Sequence, residues 1–276
     1  MSDGARRPPA LGGVAMIGGG RMASALAEGF CKAGLVAADS ITVYDPSAAA
    51  RSALAAGLPG VRFATEPAEA VATAEVVWLA VKPQQAAEAC TAIAAGMAGK
   101  TLVSILAGLS TQSLAALAGT PRVIRVMPNT PCLVGRGVSV VCRTPAVPDD
   151  IGDHVKRLLA AVGHVHEVDE SLMNAVTGLS GSGPGFLALL VEALAEGGER
   201  AGLPRPLALA LAVQTLEGTG SLLERTGEEP AVVRERVTSP GGTTLAGLAV
   251  LTDRGVPEAI AAAVEAAAAR AAELGR

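Results

Sequence analysis

The run Gly18-Gly19-Gly20-Arg21-Met22-Ala23 constrains this chain more than any other. It reads G-x-G-x-x-A, comes after an apolar stretch at 14–17 and opens an alanine-rich helical pattern at 22–32. In that strand–turn–helix setting each position has a physical task. Gly18 permits the tight turn, Gly20 lets the backbone approach a pyrophosphate, and Ala23 lets the helix lie close to the strand. The phosphates then meet free N–H groups at the helix N-terminus. Gly18, Gly19, Gly20, Arg21 and Met22 are therefore expected to bind a dinucleotide. The plainer alternative is a glycine-rich turn with no ligand.

The first half of the chain continues the same alternation. Apolar stretches at 41–44, 61–63, 76–81, 101–105, 123–127 and 138–142 are separated by helical patterns at 48–56, 84–96 and 111–118. Continuous apolar strands joined by helices predict a parallel sheet covered on both faces. Right-handed crossovers make it doubly wound. Past Val168 the strand-like runs stop. Helical stretches at 171–177, 184–200, 205–224, 230–237, 244–252 and 257–274 take over, with Gly or Pro at breaks such as Gly202–Pro204 and Gly255–Pro257. The expected organisation is a disordered tail at 1–11, an α/β Rossmann-type domain at 12–167 and an all-helical domain at 168–276.

Composition narrows the function classes. Half the chain is apolar but only 2% is aromatic, so the core must be built from Ala, Leu and Val. A net charge of −4 without a basic run argues against nucleic acid and an anionic membrane surface. No stretch reaches the roughly 18 unbroken apolar residues of a membrane span. Cys31, Cys90, Cys132 and Cys142 form no CxxC pair and suit a reducing compartment such as the cytoplasm. They are expected to be plain core residues. His164 and His166 share one face of a strand, but no third ligand is evident, so no metal site is expected.

Two further regions carry chemistry. The second strand ends at Tyr44-Asp45-Pro46-Ser47. Asp45 there would accept a ribose 2′-OH and repel a 2′-phosphate, which leans toward NADH. Ser47 donating to a phosphate, with Arg21 or Arg51 swinging in, would favour NADPH. Near the C-terminus, Ser239 is read as a helix N-cap with Pro240 at the first helical position. Gly241 and Gly242 leave N–H groups uncovered before a helix from Thr244, which makes an anion site.

Several motifs, in order, resemble one family. They are Ala80-Val81-Lys82-Pro83, Arg125-Val126-Met127-Pro128-Asn129-Thr130-Pro131, Gly178-Leu179-Ser180-Gly181-Ser182-Gly183-Pro184, Ala201-Gly202-Leu203-Pro204 and Thr238-Ser239-Pro240-Gly241-Gly242-Thr243-Thr244. From about residue 13 onward the chain resembles pyrroline-5-carboxylate reductases. The resemblance implies hydride transfer from NADPH or NADH to 1-pyrroline-5-carboxylate, giving L-proline at the end of proline biosynthesis. It also implies a helical domain that interlocks two subunits into a homodimer, which assembles further, often to a decamer. The unbroken apolar run 207–213 is a physical hint of such an interface.

The resemblance places Ala80, Val81, Lys82 and Pro83 beside the cofactor, with Asn129 and Thr130 shaping the same crevice. By the chemistry of the loop itself, Gly241, Gly242 and Thr243 would hold a substrate carboxylate and Thr244 would turn its hydroxyl to the ring nitrogen, with Ser239 also among the substrate-binding residues. Ser180 and Ser182 line the pocket or serve packing and the helix start. The chain departs from the family at Arg21, often Asn, and at Asp45-Pro46, where many members suit a 2′-phosphate. Gly185-Phe186 stands where Ala-Tyr is common, and Arg234, Glu235 and Arg236 replace a Lys-Asp stretch.

The absence of a His/Asp or Cys/His pair suits reduction of a cyclic imine, because a protonated imine accepts hydride without a further acid. A 3-hydroxyacid dehydrogenase would need a lysine in the helical half, and none occurs after Lys156. A reductase of another cyclic imine acid and a non-catalytic dinucleotide-binding protein remain as alternatives.

Overall fold

The computed structural model describes residues 13–275, so the expected tail at 1–11 lies outside the described residues. The described residues divide into two compact units, one of 13–181 with 267–275 and one of 182–266.

The first unit is built on an eight-stranded sheet in the order β3-β2-β1-β4-β5-β6-β7-β8. The strands are β1 Gly13–Ile17, β2 Ile41–Tyr44, β3 Arg62–Phe63, β4 Ala74–Leu79, β5 Thr101–Ser104, β6 Val123–Met127, β7 Gly137–Arg143 and β8 Gly163–Glu167. Its helices are α1 Arg21–Lys32, α2 Ala48–Gly57, α3 Pro67–Ala72, α4 Ala86–Ile93, α5 Thr111–Ala118, α6 Asp149–Ala160 and the single turn α7 Met173–Val176. The order 3-2-1-4-5-6 is that of two mononucleotide-binding halves meeting at the β1–β4 boundary.

Both faces of the sheet are dry, which explains the continuous apolar strands. Val14 and Met16 of β1 join the core on one face with Phe30, Trp78 and Leu158. Ala15 and Ile17 join the other with Leu79, Cys90, Met97 and Leu114. Helix α1 buries Ala23, Leu26, Ala27 and Phe30, the spacing of one helical face. The Phe30 and Trp78 rings meet at 5.3 Å between centroids.

Two features differ from the sequence expectation. The sheet is not parallel throughout, because β6 and β7 pair antiparallel. Only the short 3-10 turn Thr130–Val134 joins them, and a parallel return needs a crossover of a dozen or more residues. Helices α3 and α6 were also not expected. Yet α6 buries Ile151, Val155, Leu158 and Leu159 behind Asp149 and Asp150 in its first turn, a legible amphipathic pattern.

The second unit contains α8 Gly183–Arg200, α9 Arg205–Thr226, α10 Pro230–Arg236 and α11 Thr243–Asp253. The last helix, α12 Val256–Leu274, begins in this unit and ends in the first. There its last turn meets the loop after β5, with Leu274 and Gly275 against Gly108. Helices α8 and α9 approach closely through Gly198, where an added Cβ would lie 3.0 Å from that of Ala208. The segment Glu170–Arg200 is long and apolar enough by composition to cross a membrane. It is not one regular helix, however: a 3-10 turn, α7 and a π-turn at Thr177–Gly181 precede α8.

Candidate functional site

The glycine loop lies at the C-terminal edge of β1, where ligands bind in open α/β sheets. Gly18 has φ +101°, and a Cβ there would lie 2.6 Å from the Ala80 carbonyl oxygen. Its N–H donates to Tyr44 O at 2.8 Å, and Ala80 N–H donates to Ile17 O at 2.8 Å. The loop is thus wedged between the ends of β2 and β4. A Cβ on Gly20 would meet nothing within 4 Å, so the space beside it is open to a ligand. Gly20 is also the N-cap of α1, with no side chain capping it and no acid in the first turn. Those helix-start amides and that open space fit a pyrophosphate.

Asp45 is tied into the same loop. Its Oδ2 accepts Gly19 N–H at 2.7 Å and its Oδ1 accepts Ser47 N–H at 2.8 Å. Ser47 in turn caps α2, its hydroxyl accepting from Ala50 N–H at 3.3 Å. Arg51 donates from Nη1 to the Asp45 carbonyl at 2.7 Å. The acid at the end of β2 therefore orders the loop. Arg21, Gly20, Ser24 and Glu28 also line a neighbouring cleft of about 340 Å³. Ala80 and Val81 lie just past β4, and Lys82, exposed, precedes the 3-10 turn Pro83–Gln85. The structure thus gathers Gly18–Gly20, Asp45, Ser47 and Ala80 at one edge of the sheet.

Asn129, nine-tenths buried, is also at that edge, but protein groups occupy its side chain. Its Oδ1 accepts Val138 N–H at 2.8 Å, and its Nδ2 donates to Ser180 O at 3.3 Å and Ser180 Oγ at 3.4 Å. Four residues back on β6, Arg125 pairs with Glu170 at 2.7 Å. Glu170 also accepts Thr111 N–H and Thr111 Oγ–H, both at 2.6 Å. Sequence reasoning missed this network, because its members come from distant parts of the chain. Burial raises the Glu170 pKa, but the hydrogen bonds from Thr111 and Arg125 outweigh it and hold the carboxyl below its ordinary range.

In the helical unit, Ser239-Pro240-Gly241-Gly242 forms a tight turn, with Gly242 N–H donating to Ser239 O at 2.9 Å and Gly241 at φ +69°. This corrects the expected cap. Ser239 does not cap a helix; Gly242 is the N-cap, and α11 starts at Thr243. The reason is the Pro-Gly pair, which favours a reversing turn with a positive φ at its third residue. A Cβ on Gly242 would collide with Ser239 Oγ. The Gly242 N–H is spent inside the turn, so it is no free carboxylate donor. The amides at the start of α11 have no side-chain cap. Ser182 precedes α8 as its N-cap residue without a side-chain cap bond.

Cys90, Cys132 and Cys142 are buried, and burial pushes Cys90 and Cys142 up to about 11. Among the described residues no three His, Cys, Asp or Glu side chains are grouped to hold a metal.

Known proteins of one family match the chain over most of its length. A family model described as pyrroline-5-carboxylate reductase dimerisation matches residues 170–274. Another, described as NADP oxidoreductase coenzyme F420-dependent, matches residues 13–108. A pyrroline-5-carboxylate reductase of Synechocystis sp. is 44% identical, covering 95% of this chain and 98% of the relative. One of Arabidopsis thaliana is 40% identical over 95% of each. The pyrroline carboxylate reductase of Plasmodium falciparum, solved with NADP bound, superposes with a TM-score of 0.87 at 29% identity, covering 96% of this chain and 98% of that one. The Coxiella burnetii enzyme gives 0.88 at 31%, covering 96% and 99%. With its nucleotide loop, its helical half and its near-complete alignment to these enzymes, the chain belongs to the pyrroline-5-carboxylate reductase family.

Proposed function

We propose that this chain reduces 1-pyrroline-5-carboxylate to L-proline with a nicotinamide dinucleotide, the last step of proline biosynthesis. The observation that carries this reading is the 44% identity to a pyrroline-5-carboxylate reductase across 95% of the chain. The open glycine loop at the sheet edge supports it. When bound, the dinucleotide supplies the hydride. The residues of this chain hold and orient the reactants. The amides at the start of α1 take the pyrophosphate, Asp45 takes the ribose, and Ala80–Pro83 flanks the nucleotide. In the helical unit, the amides of Gly241, Thr243 and Thr244 hold the substrate carboxylate. The Thr244 hydroxyl orients the ring nitrogen, which keeps its proton as the C=N carbon takes up hydride. No side-chain acid is required, and positioning of this kind contributes about 7–11 kcal/mol. The work divides between a cofactor domain at 12–167 and a substrate and dimerisation domain at 168–276, and dimers build a larger ring such as a decamer in the cytoplasm.

The test monitors loss of NADPH and NADH absorbance with 1-pyrroline-5-carboxylate, each cofactor separately. Turnover with either is expected, with NADH favoured because the Asp45 carboxylate repels a 2′-phosphate. Asp45→Ser should shift the ratio of the two kcat/KM values toward NADPH by about tenfold, the scale of one lost charge contact. Thr244→Ala should lower kcat/KM for the imine by about tenfold or more, with dinucleotide affinity unchanged. A folded protein that binds dinucleotide but turns over with neither cofactor would shift the reading to another cyclic imine acid.

A further inference from the structure

One face of β6 works as a rail for the segment that comes after the sheet. Arg125 and Met127 share one side of β6, and Asn129, two residues past its end in extended backbone at φ −127° and ψ 166°, follows them. Arg125 takes Glu170 at 2.7 Å. Met127 packs with Met173 of α7, and a Cβ on Gly181 would lie 3.2 Å from Met127 Sδ. Asn129 takes Ser180. The segment held in this way ends in the π-turn Thr177–Gly181. Single π-turns are rare and occur often at functional sites. The rail ends at the C-terminal edge of β6, the last strand of the second mononucleotide half of the 3-2-1-4-5-6 order. Because the adenosine half lies over β1–β3, the nicotinamide half falls over β4–β6.

Asn129 is wired so that its roles are fixed. Its Oδ1 is committed to the Val138 N–H at 2.8 Å, so the NH2 group must face Ser180. The Ser180 hydroxyl oxygen therefore accepts, and its own proton is left to donate elsewhere. Asn129 is only 9% exposed, which keeps it out of reach as a direct ligand of a bound molecule. We infer that Asn129 is a positioning residue that holds Ser180 as a hydrogen-bond donor to the carboxamide oxygen of the nicotinamide. The inference rests on the reductase reading under Proposed function. It adds a polar contact that sets the rotation of the nicotinamide ring, and hence which face presents its hydride to the imine.

The experiment compares NADH with ADP-ribose, which lacks the nicotinamide, by calorimetric titration of the intact protein. Ser180→Ala should weaken NADH about tenfold, one hydrogen bond's worth, and leave ADP-ribose unchanged. Ser180→Thr, which keeps the hydroxyl, should restore NADH binding. Asn129→Asp still accepts from Val138 but cannot donate, so the serine proton turns to the carboxylate. It should match Ser180→Ala, and the double variant should be no worse than either single one. In steady state, both variants should raise KM for NADH and lower kcat, with KM for the imine unchanged. Equal losses for NADH and ADP-ribose would reduce the pair to a structural brace and overturn the inference. Wild-type NADH affinity in Ser180→Ala, or additive losses in the double variant, would do the same. Failure of the reductase reading looks different, because the unaltered protein would then bind NADH without turning over the imine.

Discussion

The two units bury opposite kinds of residue. In the sheet unit the largest side chains are inside: Trp78, Phe30, Met16 and Ile17 are all essentially inaccessible. In the helical unit the buried side chains are mostly small, Ala195, Ala208 and Ala212 with Val233, while Leu189 and Leu194 are 65% and 61% exposed. Helix α9 shows the contrast most sharply. Leu207, Leu209, Leu211 and Val213 stand out to solvent between the buried alanines. The stretch 207–213 of α9 is apolar on all sides; such a stretch belongs inside something, and exposed apolar surface of this kind marks an interface. The sheet unit completes its core from one chain; the helical unit, matched by a family model described as dimerisation, leaves large apolar side chains outside its own core.

The largest expected effect breaks that contrast directly. Leu207→Asp with Leu211→Asp places two charges one turn apart on α9. In light scattering the mass should fall to that of a single chain, and activity should fall more than tenfold if the exposed leucines join copies of the chain. Leu35→Asp is the matching control, since Leu35 is comparably exposed at 42% but sits on the sheet unit. It should keep the mass and change stability by under about 0.5 kcal/mol. If the α9 variant keeps the mass of the unaltered protein, the exposed leucines are ordinary surface and the comparison collapses.

The same contrast explains what could be read in the sequence. Seven of the eight strands lie where apolar runs stood, because a sheet dry on both faces writes itself as uninterrupted Val, Ile and Leu; the exposed edge strand β8, Gly-His-Val-His-Glu, carries no such run. The glycine loop was legible for a steric reason: Gly18 must be glycine where Ala80 leaves no room for a Cβ. The long helices α8, α9 and α12 were legible from Gly and Pro breaks. What escaped was set by tertiary contact. The antiparallel turn to β7 depends on a short connection whose direction no periodicity reports. The role of Ser239 depends on how Pro240 and Gly241 share one turn. The Asn129–Ser180 link joins residues far apart in sequence, and neither residue type signals the other. Helix α6 is different, since its apolar spacing and its acidic first turn are both written in the sequence.

A smaller effect sharpens the comparison through electrostatics. The sheet unit anchors residues 170–181 with Arg125, whose side chain is 5% exposed, against a Glu170 side chain that is 36% exposed. The Nε and Nη2 of Arg125 are buried without other partners, so Glu170 is its main compensation. The ion pairs of the helical unit, such as Arg200 with Glu196, lie in solvent, where such pairs contribute little. Glu170→Gln should therefore cost about 2 kcal/mol at neutral pH, a buried-pair value discounted for the exposure of Glu170. Because the folded pKa of Glu170 is lowered, its contribution is complete above the unfolded value of about 4.3 and is lost as pH falls through the folded value. Chemical unfolding should show a constant gap between the unaltered protein and Glu170→Gln from pH 7 to about 5, shrinking only below about pH 4. A gap that persists unchanged at acidic pH would mean that the amide's shape, not the charge, is at fault.

The smallest effect comes from a lysine that closes a helix in the sheet unit. Lys100 Nζ donates to Val71 O at 2.7 Å, Ala72 O at 3.1 Å and Ala74 O at 2.6 Å. These carbonyls lie at the end of α3 and the start of β4. The last carbonyls of a helix have no intrahelical partner, and a cation there also meets the negative end of the helix dipole. Here one ammonium satisfies three carbonyls, which is its full donor capacity. Lys100→Met keeps the aliphatic stem and removes every bond, so it should cost about 1–2 kcal/mol in chemical unfolding. Arg200→Met in the helical unit, whose guanidinium is largely in water, should cost under about 0.5 kcal/mol. Equal losses from the two would show that the sheet unit draws no more from its partly buried lysine than the helical unit does from its exposed arginine. The difference between the units would then rest on apolar packing alone.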